Sequence, residues 1–177
     1  MKILKIILIV VAVIIAVPLI TALFIKKDYG VEREITIKKP KQEVFDYVKY
    51  VKNQDNYSKW AMMDPNAKKS YTGEDGTVGF VSAWESEITG KGEQEIKKIA
   101  EVERLDFELR FKEPFEATDN AYMITESVSE NETKVKWGFN GHMNYPLNIM
   151  MVFYDFEEML GGDLSTGLTN LKTELEK

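Results

Sequence analysis

The sequence predicts an α+β protein: a curved antiparallel sheet of about seven strands wrapped around one long C-terminal helix, preceded by a transmembrane helix. Three stretches carry that prediction. In Leu105–Lys112, read L-D-F-E-L-R-F-K, the apolar Leu105, Phe107, Leu109 and Phe111 alternate with Asp106, Glu108, Arg110 and Lys112. A period of two is a strand with one buried and one wet face. Near the C-terminus Leu164, Leu168, Leu171 and Leu175 recur at helical spacing and form a single apolar stripe. The third stretch, Ile6 to Ile25, is apolar throughout except for Pro18 and Thr21.

That N-terminal run is flanked by Lys2 and Lys5 on one side and Lys26 and Lys27 on the other. About 20 residues rising 1.5 Å each match a hydrocarbon core about 30 Å thick. A cleavable signal peptide is the rival reading. Its apolar core is shorter, roughly 7–15 residues, and ends in small residues, whereas here Leu23, Phe24 and Ile25 lead straight into lysines. The segment is therefore read as an uncleaved single-pass membrane anchor. The terminal amine with Lys2 and Lys5 outweighs Lys26 and Lys27, which places the N-terminus inside and the domain on the extracytoplasmic side.

From Asp28 the elements follow in order. Tyr29 and Gly30 link to a strand at Val31–Ile37. Pro40 suits a helix's first turn, and Val44, Phe45 and Val48 mark a short amphipathic helix over Lys41–Val51. Asn53 offers an N-cap for a second short helix ending near Trp60. Met62, Met63, Asp64 and Pro65 read as a loop, Lys68–Tyr71 as a short strand, and Gly73, Asp75 and Gly76 as a turn. Longer strands follow at Val78–Ile88, Gly92–Ala100, Arg104–Lys112 and Glu116–Val128, then a turn at Glu130–Asn131 and a last strand at Lys134–His142. Alternation places Phe80 and Trp84, Tyr122 and Ile124, and Trp137 and Phe139 on the covered face. Pro146 and Leu147 open a helical section that Gly161–Gly162 interrupts, after which Asp163 caps the final helix.

Composition narrows the function. The chain has 177 residues and a formal net charge of −6. Four of its 23 basic residues lie in the acid-free first 27, so the remainder carries 19 basic against 29 acidic groups, a net of −10. Such a domain is repelled by phosphate backbones, which argues against nucleic acid as a partner. Without a cysteine there is no disulfide, thiolate nucleophile or cysteine-ligated metal.

The strand–two helices–strands–helix order, with five local motifs, resembles the START-like superfamily, also called the birch-pollen-allergen-like helix-grip fold. The motifs are I-T-I-K-K-P-K-Q-E-V-F-D-Y-V (Ile35–Val48), N-Y-S-K-W (Asn56–Trp60), G-F-V-S-A-W (Gly79–Trp84), T-K-V-K-W (Thr133–Trp137) and G-L-T-N-L-K-T-E-L-E (Gly167–Glu176). The nearest branch looks like the polyketide cyclase/dehydrase and lipid-transport group. The resemblance covers Tyr29 to Lys177, so the chain divides into an anchor at 1–27 and a START-like domain at 28–177. It implies a fold, and an apolar cavity between sheet and terminal helix, but no single activity.

The chemistry-bearing residues are few. His142 is the single histidine, and its parity matches Lys134 and Lys136 on the wet face. Glu85 with Glu87, and Glu93 with Glu95, read as solvated alternate positions. Glu126 shares parity with Tyr122 and Ile124; a carboxylate on the apolar face is costly unless paired or used, so it is a candidate for lining a cavity. No phosphate loop, dinucleotide fingerprint, nucleophile elbow or metal-ligand spacing is present. No catalytic residue, metal or cofactor is assigned. The candidate cavity lining is Trp60, Met62, Phe80, Trp84, Phe107, Phe111, Tyr122, Glu126, Trp137, Phe139, Tyr145 and Met150, where methionines and aromatics suit a deformable mouth. Three functions compete: a membrane-anchored binding module for a lipid or other small apolar ligand, a cyclase/dehydrase-like enzyme steering a hydrophobic substrate with Glu126, Tyr122 or His142, and a protein-interaction domain with a filled core.

Overall fold

A computed structural model describes residues 2–177. Helix α1 (Lys2–Ala22) leads through a short link into strand β1 (Asp28–Ile37). Helix α2 (Lys41–Lys49), a 3₁₀ turn (Val51–Asn56) and helix α3 (Lys59–Met63) come next. Strands β2 (Lys68–Thr72), β3 (Val81–Ser86), β4 (Gly90–Ala100), β5 (Arg104–Glu113), β6 (Ala117–Ser129) and β7 (Glu132–His142) follow. A 3₁₀ turn (Leu147–Ile149) and helix α4 (Met150–Phe153) then lead to α5 (Phe156–Leu175).

The strands form one antiparallel sheet in the order β1-β7-β6-β5-β4-β3-β2. Only the β1–β7 pair joins elements far apart in sequence; every other neighbour is the next strand along the chain. Helix α5 lies across β1 and β7, with Leu164, Leu168, Leu171 and Leu175 buried against Ile37, Leu105, Val135 and Trp137 in the core. Val44, Phe45 and Val48 of α2 bury against the same core, as the helical spacing requires.

Several sequence expectations change. β1 starts at Asp28, so Tyr29 and Gly30 are strand, paired with Gly141 and Asn140. α2 ends at Lys49. Asn53 is not an N-cap; it lies inside the 3₁₀ turn and donates to the Tyr47 carbonyl at 2.7 Å. That turn is held instead by Asp75, whose carboxylate accepts the backbone N–H groups of Val51 (2.8 Å) and Lys52 (3.2 Å). Met62 and Met63 belong to α3. β3 begins only at Val81, because Gly76 and Gly79 adopt positive φ (82° and 88°) and leave Val78 exposed.

Two corrections bear on the site. On β6 the covered residues are Asp119, Ala121, Met123 and Thr125, so Tyr122, Ile124 and Glu126 face outward. Register fixes this: Ala121 and Met123 pair with the buried Phe107 and Leu105. The last helix is continuous through Gly161–Gly162 and starts at Phe156, capped by Asp155, whose side chain accepts the Glu158 N–H at 2.9 Å. Asp163 sits within it and pairs with Lys59. Gly161 lies against the Arg33 guanidinium, which occupies the space a side chain would take.

Candidate ligand pocket

A hollow of about 550 Å³ lies between the inner face of the sheet and the first turns of α5. Its floor is built by alternation. Phe107, Leu109 and Phe111 of β5 share one face, with Trp84 of β3 on one flank and Trp137 and Phe139 of β7 on the other. Phe156, Leu160 and Leu164 of α5 form the roof, and Trp60 of α3 closes a side. Glycine makes room for the aromatics: Gly92 lies under the Trp84 indole, and Gly141 lies under the Tyr29 ring. Trp60 meets Trp137 edge-on at 6.0 Å, and Trp84 meets Phe111 edge-on at 6.0 Å, geometries favoured by ring quadrupoles.

Of the twelve residues proposed from sequence, Trp60, Trp84, Phe107, Phe111, Trp137 and Phe139 line this space. The other six do not. Phe80 is fully buried core, stacked on Tyr71 at 6.0 Å. Met62 and Tyr145 are exposed, and Met150 lies half-buried in α4. Tyr122 and Glu126 stand on the outer face. There Tyr122 donates to Glu32 Oε2 (2.6 Å) beneath the Arg104 guanidinium (4.4 Å from the ring centroid). Glu126 accepts from Lys136 at 2.7 Å, and that hydrogen bond holds its carboxyl below the usual carboxylate range. Neither touches the pocket, so the role proposed for them is withdrawn.

His142 is exposed at the end of β7, its Nδ1 2.6 Å from Asp28 Oδ1. Glu93 and Glu95 hold Arg110 on the outer face, each at 2.6 Å. Among the described residues no three histidine, aspartate or glutamate side chains converge on a metal position.

Sequence reasoning missed the pocket's polar members. Gln94 of β4, Asp119 of β6 and Tyr29 of β1 all line it. Asp119 is only 4% exposed, and its Oδ1 accepts the His142 backbone N–H at 3.0 Å. Burial raises its carboxyl above the ordinary value. Burial, and then the Asp119 charge, push the Tyr29 hydroxyl up to about 12. The usable signal was parity: Gln94 alternates with Glu93 and Glu95, which face water.

The pocket's rim continues outward. Phe115, Phe156 and Met159 edge it, and Phe156 contacts Tyr154 (6.3 Å between rings) in the segment leading from α4. Val152 and Phe153 at the end of α4, and Tyr154 just after it, are 59%, 76% and 56% exposed. The 3₁₀ turn before α4 grips the end of α1 through Asn148, whose Nδ2 donates to the carbonyls of Ala22 (2.7 Å) and Ile25 (3.0 Å).

No family model and no curated protein matches the sequence. The fold, however, is shared with many solved structures. The chain is similar to XoxI from Bacillus cereus (TM-score 0.61, 12% identity, covering 84% of this chain and 96% of that one). It is similar to Aha1 from Colwellia psychrerythraea, solved as a dimer (TM-score 0.55, 16% identity, 84% and 96%). It is also similar to the Bet v1-like Ara h 8.0201 (TM-score 0.56, 13% identity, 84% and 98%). The architecture is thus the helix-grip fold, with an added N-terminal helix long and apolar enough to span a membrane.

Proposed function

We propose that the chain is a membrane-anchored binding module that holds a lipid or other small apolar molecule between its sheet and α5. The observation that carries this reading is the hollow itself. Its volume of about 550 Å³ falls inside the range of roughly 300–1,000 Å³ typical of small-molecule sites. The lining is mainly aromatic and aliphatic, with polar side chains and the charged Asp55, Lys69, Glu113 and Asp119 among it. Such a space argues against a domain whose core is simply filled.

The anchor supports the second half of the proposal. α1 is 21 residues long and shows no burial over its apolar span. The exposed Val152, Phe153 and Tyr154 are tied to its end by Asn148, so they stand where a bilayer surface would meet the domain. Burying apolar area of that kind in an interface is favourable, and the neighbouring rim gives a ligand a short route out of the membrane. The domain is assigned to the extracytoplasmic side on the flanking lysines.

All three tryptophans of the chain line the pocket, so intrinsic fluorescence reports on it directly. The test is full-length protein in lipid nanodiscs, extracted with organic solvent and compared with empty nanodiscs by mass spectrometry. It is then titrated with a fatty acid, a sterol and a phospholipid while tryptophan emission is followed. A stoichiometric passenger, or saturable quenching by one ligand class, supports the binder. A folded chain that carries nothing and responds to none of them refutes it.

A further inference from the structure

Four of the pocket's polar residues, Ser82, Gln94, Asp119 and Tyr29, are aligned. In the sheet register Ser82 pairs with Gln94, Gln94 with Leu109, and Leu109 with Asp119. Tyr29, opposite Gly141 at the β1–β7 pair, lays its ring over that glycine beside Asp119. These residues form one transverse row across the pocket floor, and every side chain named except Gly141 lines the space.

Gln94 Nε2 in this row is buried and has no hydrogen-bond partner. A buried amide donor left unpaired costs roughly 1–3 kcal/mol, and turning the amide over only exchanges a buried donor for a buried acceptor. At the other end Asp119 spends Oδ1 on His142, which leaves Oδ2 for the pocket. A carboxylate accepts hydrogen bonds and offers none.

We propose that the ligand is an elongated apolar molecule bearing two oxygen functions roughly 10 Å apart, the width of two strand spacings. One oxygen accepts from Gln94, and the other belongs to a hydroxyl that donates to Asp119 beside Tyr29. The apolar body lies on Leu109 between them. The inference rests on the binding-module reading and narrows it from apolar molecules in general to dioxygenated ones. A saturated hydrocarbon chain leaves both polar ends unsatisfied and is the poorer ligand.

The probes are biphenyl, para-hydroxybiphenyl and para,para′-dihydroxybiphenyl. They are titrated into full-length protein in nanodiscs, with empty nanodiscs as the partition control and tryptophan emission as readout. Each added hydroxyl is expected to tighten binding about five- to tenfold, the worth of one good hydrogen bond. Gln94→Leu removes one of these steps and leaves biphenyl binding unchanged or tighter. Asp119→Leu removes the other, with circular dichroism as the check on folding. Equal binding of the three probes, or an unchanged ranking in Gln94→Leu, overturns the inference while leaving the binding module standing. Failure of all three to perturb a folded wild-type chain overturns the inference, and the binding module falls with it only if the fatty acid, sterol and phospholipid fail as well.

Discussion

Gly167 of α5 rests against the indole of Trp137, so close that a Cβ on the glycine would lie 2.7 Å from Cζ3. Tyr57 and Trp60 hold Trp137 in place, packing edge-on against it at 5.7 Å and 6.0 Å. The glycine therefore sets how closely the helix approaches the sheet. Gly167→Ala gains about 1 kcal/mol in helix propensity and loses about 1–3 kcal/mol to overpacking. A net loss of stability is expected in chemical denaturation. Gly162, earlier on the same helix, has no atom within 4 Å of a built Cβ. Gly162→Ala is expected to stabilise by about 0.5–1 kcal/mol. Equal shifts for the two variants would show that packing against Trp137 is not what selects glycine.

These glycines show what a sequence conceals. A Gly-Gly pair in a helical pattern reads as a break, yet Asp155 caps one continuous helix that runs through both Gly161 and Gly162. At position 161 the glycine lies against the Arg33 guanidinium, which reaches it from β1 at the far end of the domain's sequence. On β5 the apolar and charged residues separate cleanly, so its faces were legible. On β6 the run Ala121-Tyr122-Met123-Ile124 is apolar on both parities, and only pairing with Leu105 and Phe107 selects Ala121 and Met123. The outward Tyr122 is explained by Gly138, whose missing side chain the tyrosine ring covers. The aromatic half of the pocket was legible because aromatics on a covered face have few other uses. Its polar row was legible only in part: parity sets Gln94 on the face opposite Glu93 and Glu95, but Asp119 looks like a wet-face residue until register aligns it with Leu109.

Alkaline pH is expected to destabilise the fold. Tyr29 and Tyr122 are both pushed up to about 12, chiefly by burial, and then by Asp119 and by the hydrogen bond to Glu32 respectively. Burial raises Tyr57 as well. In the unfolded chain tyrosine ionises near pH 10. The contribution of these groups is thus fully present below about pH 10 and is lost as pH rises through about 12. Denaturation midpoints should fall across that window, and Tyr122→Phe should make the fall shallower. An identical pH profile in the variant would remove Tyr122 from the account.

Leu109 occupies the middle of the pocket floor and is only partly buried. Leu109→Trp places an indole into existing space, so it should fill the pocket without disturbing the packed core beneath α5. Ligand affinity is expected to fall by about tenfold or more while the thermal midpoint holds, since filling a void restores dispersion contacts. Glu126→Gln and Tyr145→Phe, both away from the pocket, should leave affinity unchanged. Loss of affinity in those two with retention in Leu109→Trp would move the binding site elsewhere.

The joint between α1 and the sheet domain can be tested at Asn148. This residue is fully buried and satisfies the Ala22 carbonyl, which the end of α1 leaves without a helical partner, together with the Ile25 carbonyl in the link. A backbone hydrogen bond from Met143 to the Lys27 carbonyl, 2.8 Å, adds a third tie. Asn148→Leu breaks the first two and strands both carbonyls, at a cost of about 1–3 kcal/mol. That cost falls on the joint, because the sheet and α5 make no use of Asn148. Local opening of the link should therefore become roughly tenfold more frequent, read as faster trypsin cleavage after the exposed Lys26 and Lys27. The denaturation midpoint of the domain should move little. Unchanged cleavage would mean that the Met143 tie alone holds the link, and a large drop in the midpoint would mean that Asn148 supports the domain core and not the joint.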